Sequence, residues 1–263
     1  MPVIHVSGTD VHYSSSGSGP GLALIHGTSM SAESNFGHLL AAFTDRYTVI
    51  TPDYAGSGET TGPADELTLD LLVEQMVAAI EHAATGPVDL MGFSLGAVVA
   101  AALAARRPDL VRRLVLVAGW SASDDPRMQL VLHTWAASLS AGADLASGVG
   151  PLLAFSPAFL SGLGHDGLAQ LRTVEPEPGT LRQIDVDRDV DIRDELHRIT
   201  AATLVVGCTQ DQLVPVRHVR ALHSAIPNSR YAEIDSGHVV FFEQPTELTS
   251  LVRAFLDADQ PAD

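Results

Sequence analysis

The sequence contains no lysine, so all 15 of its Lys/Arg positions are arginine. This absence excludes a lysine nucleophile and a lysine Schiff base. Acidic residues number 32, and the formal net charge is −17. Such a balance disfavours binding to nucleic acid or to an anionic membrane surface, because both depend on patches of positive side chains. We therefore expect no nucleic-acid partner.

Cysteines and long apolar runs are also scarce. Cys208 is the only cysteine, which excludes an intramolecular disulfide and a cysteine-based metal site. No apolar run reaches the roughly 18–20 residues that span a bilayer, and the N-terminus lacks the basic and apolar regions of a signal peptide. We expect a cytoplasmic protein without membrane insertion. Hydrophobic residues, at 46%, are abundant enough for a sizeable core.

Short apolar runs alternate with helical patterns along most of the chain. The runs "LALIHG" (22–27), "VDLMGF" (88–93) and "TLVVGC" (203–208) are apolar at nearly every position. Strands of this kind, with helices between them, indicate a parallel sheet that is covered on both faces. The predicted fold class is therefore α/β.

Residues 121–198 interrupt this alternation, because they contain no convincing strand. Helical patterns lie at 126–142 and 165–174. A structureless loop of this length would be unusual. We predict two parts, a core formed by residues 1–120 and 199–263 and a helical cap formed by residues 121–198.

The cap is expected to be mobile. The segment "SDDP" and the glycine-rich "SAGADLASGVG" (140–150) are predicted hinges, because glycine bends at little steric cost. A closing cap would exclude water from a site beneath it.

The segment "VDLMGFSLGAVVA" carries a Gly-x-Ser-x-Gly pentapeptide between a predicted strand and a predicted helix. This context is typical of a nucleophile elbow, in which a strained turn presents the serine at the end of the sheet. The glycines at positions 92 and 96 fit this interpretation, because the strand and the helix are expected to pack too closely there for side chains. We predict that Ser94 is the nucleophile, beside the positive end of the following helix.

A serine hydroxyl needs a base that takes its proton and a third group that orients the base. His238 follows the last predicted strand and can reach the elbow, whereas His26 closes an earlier strand and is expected to pack beneath its loop. Asp211 follows the penultimate strand, and the order Ser…Asp…His fits the hydrolase template. The rival acids are Asp124 and Asp125, in the loop after "LVLVAG".

Acyl transfer also needs two backbone N–H groups that stabilise the oxyanion. The predicted donors are Leu95, which follows the nucleophile, and Thr28, in the loop "HGTSMS". Apolar side chains in and near the cap are candidates for a substrate pocket, with plain packing of the cap on the sheet as the alternative. These side chains are Trp120, Met128, Leu132, Trp135, Phe155 and Phe159.

These motifs, together with "PDYAGSGET", "GCTQDQLVP" and "DSGHVVFFEQP", resemble the α/β-hydrolase superfamily over nearly the whole chain. The resemblance implies an α/β-hydrolase fold with a mostly parallel eight-stranded sheet, one antiparallel strand near its start, helices on both faces and a helical cap. Carried over by position, the implied triad is Ser94, Asp211 and His238. A serine at position 94 differs from the aspartate nucleophile of haloalkane dehalogenases and epoxide hydrolases. No metal and no organic cofactor is implied.

The predicted function is hydrolysis of an ester, thioester or lactone of a small apolar substrate through an acyl-enzyme on Ser94. One alternative is a biosynthetic cyclase or lyase that uses the same pocket and oxyanion hole without net hydrolysis. Another is a small-molecule binding protein with a vestigial site, which the complete Ser/Asp/His set disfavours. The predicted partner is a small-molecule substrate, and the oligomeric state is left open.

Overall fold

The computed structural model describes residues 2–61 and 67–258. Its strands occur where apolar runs are bounded by turn residues, as the sequence predicts. The strands are β1 (Val3–Val6), β2 (Thr9–Gly17), β3 (Gly21–Ile25), β4 (Thr48–Pro52), β5 (Val88–Phe93), β6 (Val111–Val117), β7 (Ala202–Cys208) and β8 (Ser229–Ile234).

The helices of the core lie between these strands, and another group lies between β6 and β7. Short 3₁₀ segments occur at Gly37–Ala42 and Leu196–Arg198. None of the described helices is both long enough and apolar enough to cross a membrane. The helices are α1 (Ala32–Phe36), α2 (Leu69–Ala83), α3 (Leu95–Arg106), α4 (Pro126–Ala141), α5 (Ala143–Ala154), α6 (Pro157–Gly162), α7 (Gly164–Leu171), α8 (Thr180–Asp189), α9 (Val216–Ala225), α10 (Val240–Glu243) and α11 (Pro245–Leu256).

The strands form one sheet in the order β1-β2-β4-β3-β5-β6-β7-β8. The strand β2 is antiparallel to both of its neighbours, and all pairings from β4 to β8 are parallel. The eight-stranded sheet with one antiparallel strand near the start, implied by the resemblance, is confirmed. Because the central strands are parallel, their carboxyl ends meet at one edge of the sheet.

Both faces of the sheet are covered by apolar clusters. Along β5, Leu90 packs into one cluster while Met91 and Phe93 pack into the other, as the alternation of side chains in a strand requires. The first cluster includes side chains of α2, α3 and α9, and the second includes side chains of α1 and α11. These two clusters pack against the two faces of the central strands.

The segment between β6 and β7 is helical. The helices α4 and α7 confirm the helical patterns predicted at 126–142 and 165–174, whereas α5, α6 and α8 were not predicted. The predicted hinge at 140–150 is wrong for most of its length, because α5 occupies it from Ala143 onwards. Alanine and leucine favour helix strongly enough to offset two glycines. Only Gly142, with a φ of +120°, breaks the helical path there.

Candidate active site

Ser94 lies at the turn from β5 into α3 with a φ of +56° and a ψ of −122°. This backbone is strained for a residue with a side chain. A β-carbon on Gly92 would collide with the carbonyl oxygen of Gly96, and one on Gly96 would collide with the carbonyl oxygens of Ile25 and His26. The two glycines therefore allow α3 to pack against β5 and the neighbouring β3, and this close packing holds the serine in its turn.

Three polar side chains meet at the carboxyl edge of the sheet. The Nε2 atom of His238 lies 2.9 Å from Oγ of Ser94, and its Nδ1 atom lies 2.6 Å from Oδ2 of Asp211. Ser94, Asp211 and His238 are only 4%, 5% and 3% exposed. The predicted nucleophile, base and acid thus form one continuous, buried hydrogen-bonded chain.

The carboxylate of Asp211 is fixed by its own loop. Its Oδ1 atom accepts the backbone N–H groups of Leu213 at 2.8 Å and Val214 at 2.7 Å, while Oδ2 faces His238. The helix α9 begins only at Val216, so Asp211 is not its N-cap. The loop bonds leave one carboxylate oxygen to orient the imidazole.

The two rival acids bond to other groups near the protein surface. Asp124 pairs with Arg193 at 2.8 Å. Asp125 caps α4 by accepting the N–H of Met128 at 2.9 Å and pairs with Arg217 at 3.1 Å. These contacts keep the pKa of Asp125 below its usual value. Among the described side chains, it is Asp211 and neither rival that bonds to His238.

His26 packs beneath its loop, as expected from the sequence. Its ring lies against that of Tyr54 with centroids 3.9 Å apart, and its Nδ1 atom bonds to the carbonyl oxygen of Gly27 at 2.9 Å. Complete burial lowers the pKa of His26 to about 4. His26 is therefore a neutral packing residue at pH 7 and is separate from the chain of Ser94, Asp211 and His238.

In the loop after β3, the residues on both sides of Thr28 have N–H groups that donate to side chains. The N–H of Gly27 donates to Oδ1 of Asn35 at 3.0 Å, and the N–H of Ser29 donates to Oε1 of Gln183 at 2.9 Å. Within residues 2–61 and 67–258, the N–H of Thr28 is paired with no acceptor. It is therefore available to a ligand.

The N–H of Leu95 is the other predicted oxyanion donor. Leu95 is the first residue of α3, and the side chain of Ser94 does not cap this helix. The first N–H groups of a helix have no partner within it. A β-carbon placed on Gly27 would lie 3.1 Å from that of Ser94, so the loop of Thr28 lies directly beside Ser94. One predicted donor therefore follows Ser94 in the chain, and the other lies in the adjacent loop.

Comparison with known proteins gives this geometry a family. Residues 20–245 match the family model described as the alpha/beta hydrolase fold. Over 260 residues the chain is 38% identical to pyrrolizixenacetamide deacetylase from Xenorhabdus hominickii, and the match covers 97% of this chain and 98% of that protein. The chain belongs to the α/β-hydrolase family. As such it is a hydrolase enzyme.

Solved structures share the fold of this α/β-hydrolase. The enol-lactonase from Burkholderia xenovorans LB400 superposes with a TM-score of 0.85 at 23% identity, covering 97% of this chain and 99% of that one. An esterase from Thermogutta terrifontis superposes with a TM-score of 0.83 at 22% identity, covering 97% and 96%. At these identities the likeness supports the architecture alone.

The predicted pocket residues of this α/β-hydrolase fall into two groups. Trp120 is buried, donates from Nε1 to Oγ of Ser123 at 2.8 Å, and shares a cluster with the partly buried Trp135. Phe155 and Phe159 stack in the other cluster with centroids 5.0 Å apart. The structure thus does not join the four aromatic side chains in one apolar cluster. Met128 and Leu132 are buried in the cluster of Trp120.

Ser94 lies where these two clusters meet. Phe93, just before Ser94, belongs to the cluster of Phe155, and its ring centroid lies 4.9 Å from that of His238. Leu95, just after Ser94, belongs to the cluster of Trp120. Apolar side chains therefore approach the site from both faces of the sheet.

Sequence reasoning missed the polar residues that α8 brings to the site. Oδ2 of Asp187 accepts the hydroxyl of Thr28 at 2.8 Å, and Gln183 accepts the N–H of Ser29. Both residues are buried. A weak signal exists in the sequence, because Thr180, Gln183 and Asp187 recur on one helix face at positions i, i+3 and i+7. Polar residues on a short helix nevertheless resemble a solvated surface.

Proposed function

We propose that this α/β-hydrolase cleaves an ester, thioester or lactone of a small apolar substrate through an acyl-enzyme on Ser94. The observation that carries this proposal is the hydrogen-bonded chain from Asp211 through His238 to Ser94, with contacts of 2.6 and 2.9 Å. Such a chain activates a hydroxyl that is otherwise a weak nucleophile. The N–H groups of Leu95, which follows the serine, and of Thr28, in the adjacent loop, support the same chemistry.

The mechanism follows from these contacts. Oγ of Ser94 attacks the substrate carbonyl carbon, and its proton passes to Nε2 of His238, whose Nδ1–H donates to Asp211. The N–H groups of Leu95 and Thr28 hold the negative oxygen of the tetrahedral intermediate. As the intermediate collapses, the leaving group takes the proton from His238. Water then attacks the acyl-enzyme in the same way and releases the acid and the free serine.

An amide is a second candidate substrate. The 38%-identical relative is named pyrrolizixenacetamide deacetylase, a name that refers to the removal of an acetyl group from an acetamide. The same steps cleave an amide when His238 delivers its proton to the departing nitrogen. We infer that small acetamides belong in a substrate screen beside esters, thioesters and lactones.

We also infer that residues 121–198 act as a cap that selects the substrate. Support comes from the position of α4 to α8, which follow the carboxyl end of β6 at the edge where Ser94 lies. In this proposal Trp120, Trp135, Phe155 and Phe159 contact the substrate. Their positions in the two clusters beside the nucleophile are consistent with that role.

Replacing the nucleophile tests the proposal. Ser94→Ala should lower kcat on p-nitrophenyl acetate by roughly 10⁴–10⁶-fold, because members of a triad act as a unit. A fluorophosphonate probe should label Ser94 in the native enzyme, as located by peptide mass spectrometry. The matched control is Ser140→Ala, a change at an exposed position on α4, which should leave both readouts unchanged. Ordinary turnover by Ser94→Ala would reject the acyl-enzyme.

The same assay distinguishes the two candidate acids and the non-hydrolytic alternative. Asp211→Asn should lose about 10⁴-fold in kcat through a wrong imidazole tautomer, whereas Asp124→Asn should behave like the native enzyme. Turnover in ¹⁸O-labelled water should place the label in the product acid. A product without label would instead support a cyclase or lyase.

A further inference from the structure

One face of α8 is polar and buried. Thr180, Gln183 and Asp187 lie on it at positions i, i+3 and i+7, and all three are buried. Oε1 of Gln183 accepts the N–H of Ser29, and its Nε2 donates to Oγ of Ser57 at 2.9 Å. This polar face joins α8 to the loops that follow β3 and β4. Because buried polar groups require partners, these bonds are strong constraints on both loops.

Asp187 occupies the end of this face nearest the oxyanion donor. Its Oδ2 atom accepts the hydroxyl of Thr28 at 2.8 Å, and its backbone carbonyl oxygen accepts the hydroxyl of Ser123. Its Oδ1 atom is buried and has no partner among the described residues. The hydroxyl oxygen of a threonine is three bonds from its own backbone nitrogen. The carboxyl of Asp187 thus lies close to the N–H of Thr28.

The titratable groups close to this carboxyl in the loops after β3 and β4 are also buried. They are His26, Asp53 and Tyr54, and Oδ1 of Asp53 lies 3.6 Å from Nε2 of His26. Burial lowers the pKa of His26 to about 4 and raises the pKa of Asp53 and of Tyr54. Burial likewise raises the pKa of Asp187 to about 8, against a smaller lowering by the Thr28 hydroxyl. At pH 7, below that pKa, the carboxyl of Asp187 is therefore mainly in its neutral form.

Several charged side chains of the adjoining elements bond elsewhere, among them Glu177, which accepts the N–H of Gly58 at 3.1 Å. On α8, Arg188 pairs with the exposed Asp185. On α4, Arg127 donates to the backbone oxygen of Gln212. The remaining pairs next to these elements are Arg193 with Asp124 and Asp191, Arg217 with Asp125, and His238 with Asp211. Within the part of the chain that the structure describes, no cationic side chain pairs with Asp187.

We propose that Asp187 is a positioning residue whose protonated carboxyl holds Thr28 in place for oxyanion binding, and whose ionisation switches acyl transfer off. The inference rests on the proposed function, because it assumes that the N–H of Thr28 stabilises the oxyanion. An ionised Asp187 places a negative charge beside the oxygen that becomes negative in the transition state. In a water-poor site this repulsion weakens the oxyanion hole. The uncharged acid keeps the geometry without the repulsion.

The test is the pH dependence of kcat on p-nitrophenyl acetate. The native enzyme should lose kcat by about 10- to 100-fold as the pH rises through about 8, as expected for one nearby charge in a medium of intermediate dielectric. Asp187→Asn keeps the acceptor for Thr28 and cannot ionise, so its kcat should stay level at alkaline pH. KM should change little, and the acid limb from protonation of the base should be the same in both proteins.

The matched control is Asp189→Asn, which removes a charge from an exposed position on the same helix. It should keep the alkaline loss of the native enzyme. Asp187→Ala, which removes the acceptor, should lower kcat at every pH, so only the conservative asparagine restores activity. An alkaline loss that persists in Asp187→Asn would overturn the proposal.

A direct titration covers the case in which the Asp187 variants do not fold. In Ser94→Ala protein with ¹³C-labelled aspartate, the carboxyl of Asp187 should remain protonated at pH 7, and ionisation at pH 6 would overturn the inference. Failure of the two proposals is distinguishable. Full turnover by Ser94→Ala rejects the acyl-enzyme. If Ser94→Ala loses turnover but Asp187→Asn keeps the native loss of kcat at alkaline pH, only the role of Asp187 is rejected.

Discussion

Two parts of the helical insertion between β6 and β7 are attached to the rest of the molecule in different ways. On α8, Thr180, Gln183 and Asp187 are buried and bond the loops that carry Thr28 and Ser29. The helices α5, α6 and α7 contain no buried residue at all. The comparison teaches that the insertion is attached unevenly. The helix α8 is bonded to the loop after β3, and we expect the outer helices to move more freely.

The outer helices contact the loop of His238 at the junction of α5 and α6. At the junction of α5 and α6, the N–H and hydroxyl of Ser156 donate to the carboxylate of Glu243 at 2.7 and 2.6 Å. The N–H of Val239, next to His238, donates to the carbonyl oxygen of Ala154 at 3.1 Å. This junction lies beside the histidine loop. We therefore expect a displacement of α6 to disturb the proposed base, His238, before it disturbs Thr28.

Hydrogen exchange should give the largest difference between the two parts. Amides of α5 to α7 should exchange at least about 100-fold faster than those of α8, because none of the residues within these three helices is buried, whereas five residues of α8 are. A difference of that size corresponds to roughly 3 kcal/mol in the free energy of local opening. The measurement is mass spectrometry of peptides covering 143–171 and 180–189. Equal protection of the two sets would show that the insertion opens as a single body.

Paired alanine substitutions should sharpen the comparison through stability. Gln183→Ala removes a buried side chain and leaves the part-buried N–H of Ser29 without its acceptor, so it should lower the free energy of unfolding by about 1–3 kcal/mol. Leu152→Ala, on α5, removes a side chain that is 66% exposed and should stay within about 0.5 kcal/mol of the native protein. Urea unfolding followed by circular dichroism measures both. Similar costs at the two positions would contradict the distinction.

The parts that sequence reasoning predicted are those with local causes. Apolar runs bounded by turn residues indicate the sheet strands, and Gly92, Ser94 and Gly96 indicate the elbow because all three act within one turn. Asp211 and His238 could be chosen because parallel strands end at the same edge of the sheet. Local pattern and chain order were sufficient for these features.

The polar face of α8 could not be predicted in this way. Gln183 meets Ser29 across 154 positions of sequence, and Asp187 meets Thr28 across 159. Nothing local distinguishes a buried carboxyl from a solvated one, because the cost of burying it depends on partners that only the tertiary fold supplies. The predicted hinge at 140–150 failed for a related reason. Glycine permits bending, but neighbouring alanine and leucine residues decide whether the chain bends.

The smallest effect concerns substrate selection by the outer helices. Phe159 lies on α6, is partly buried and stacks on Phe155 at 5.0 Å, whereas Trp135 on α4 packs against the cluster that includes Ile184 of α8. Phe159→Ala should change the ratio of kcat/KM between short and long acyl p-nitrophenyl esters by about fivefold, equivalent to roughly 1 kcal/mol.

Stability separates this effect from simple loss of packing. A fully buried aromatic residue replaced by alanine costs about 3–5 kcal/mol, so replacing the partly buried Phe159 should cost less. Trp135→Ala should cost more stability than Phe159→Ala, because the cluster it leaves also supports α8, and it should shift the chain-length profile as well. The measurements are thermal unfolding and the acyl-chain series on the same preparations. One outcome for Phe159→Ala would contradict this expectation, a large fall in the unfolding temperature with an unchanged chain-length profile. In that case the outer helices pack on the core and do not select the substrate, so the difference from α8 concerns stability alone.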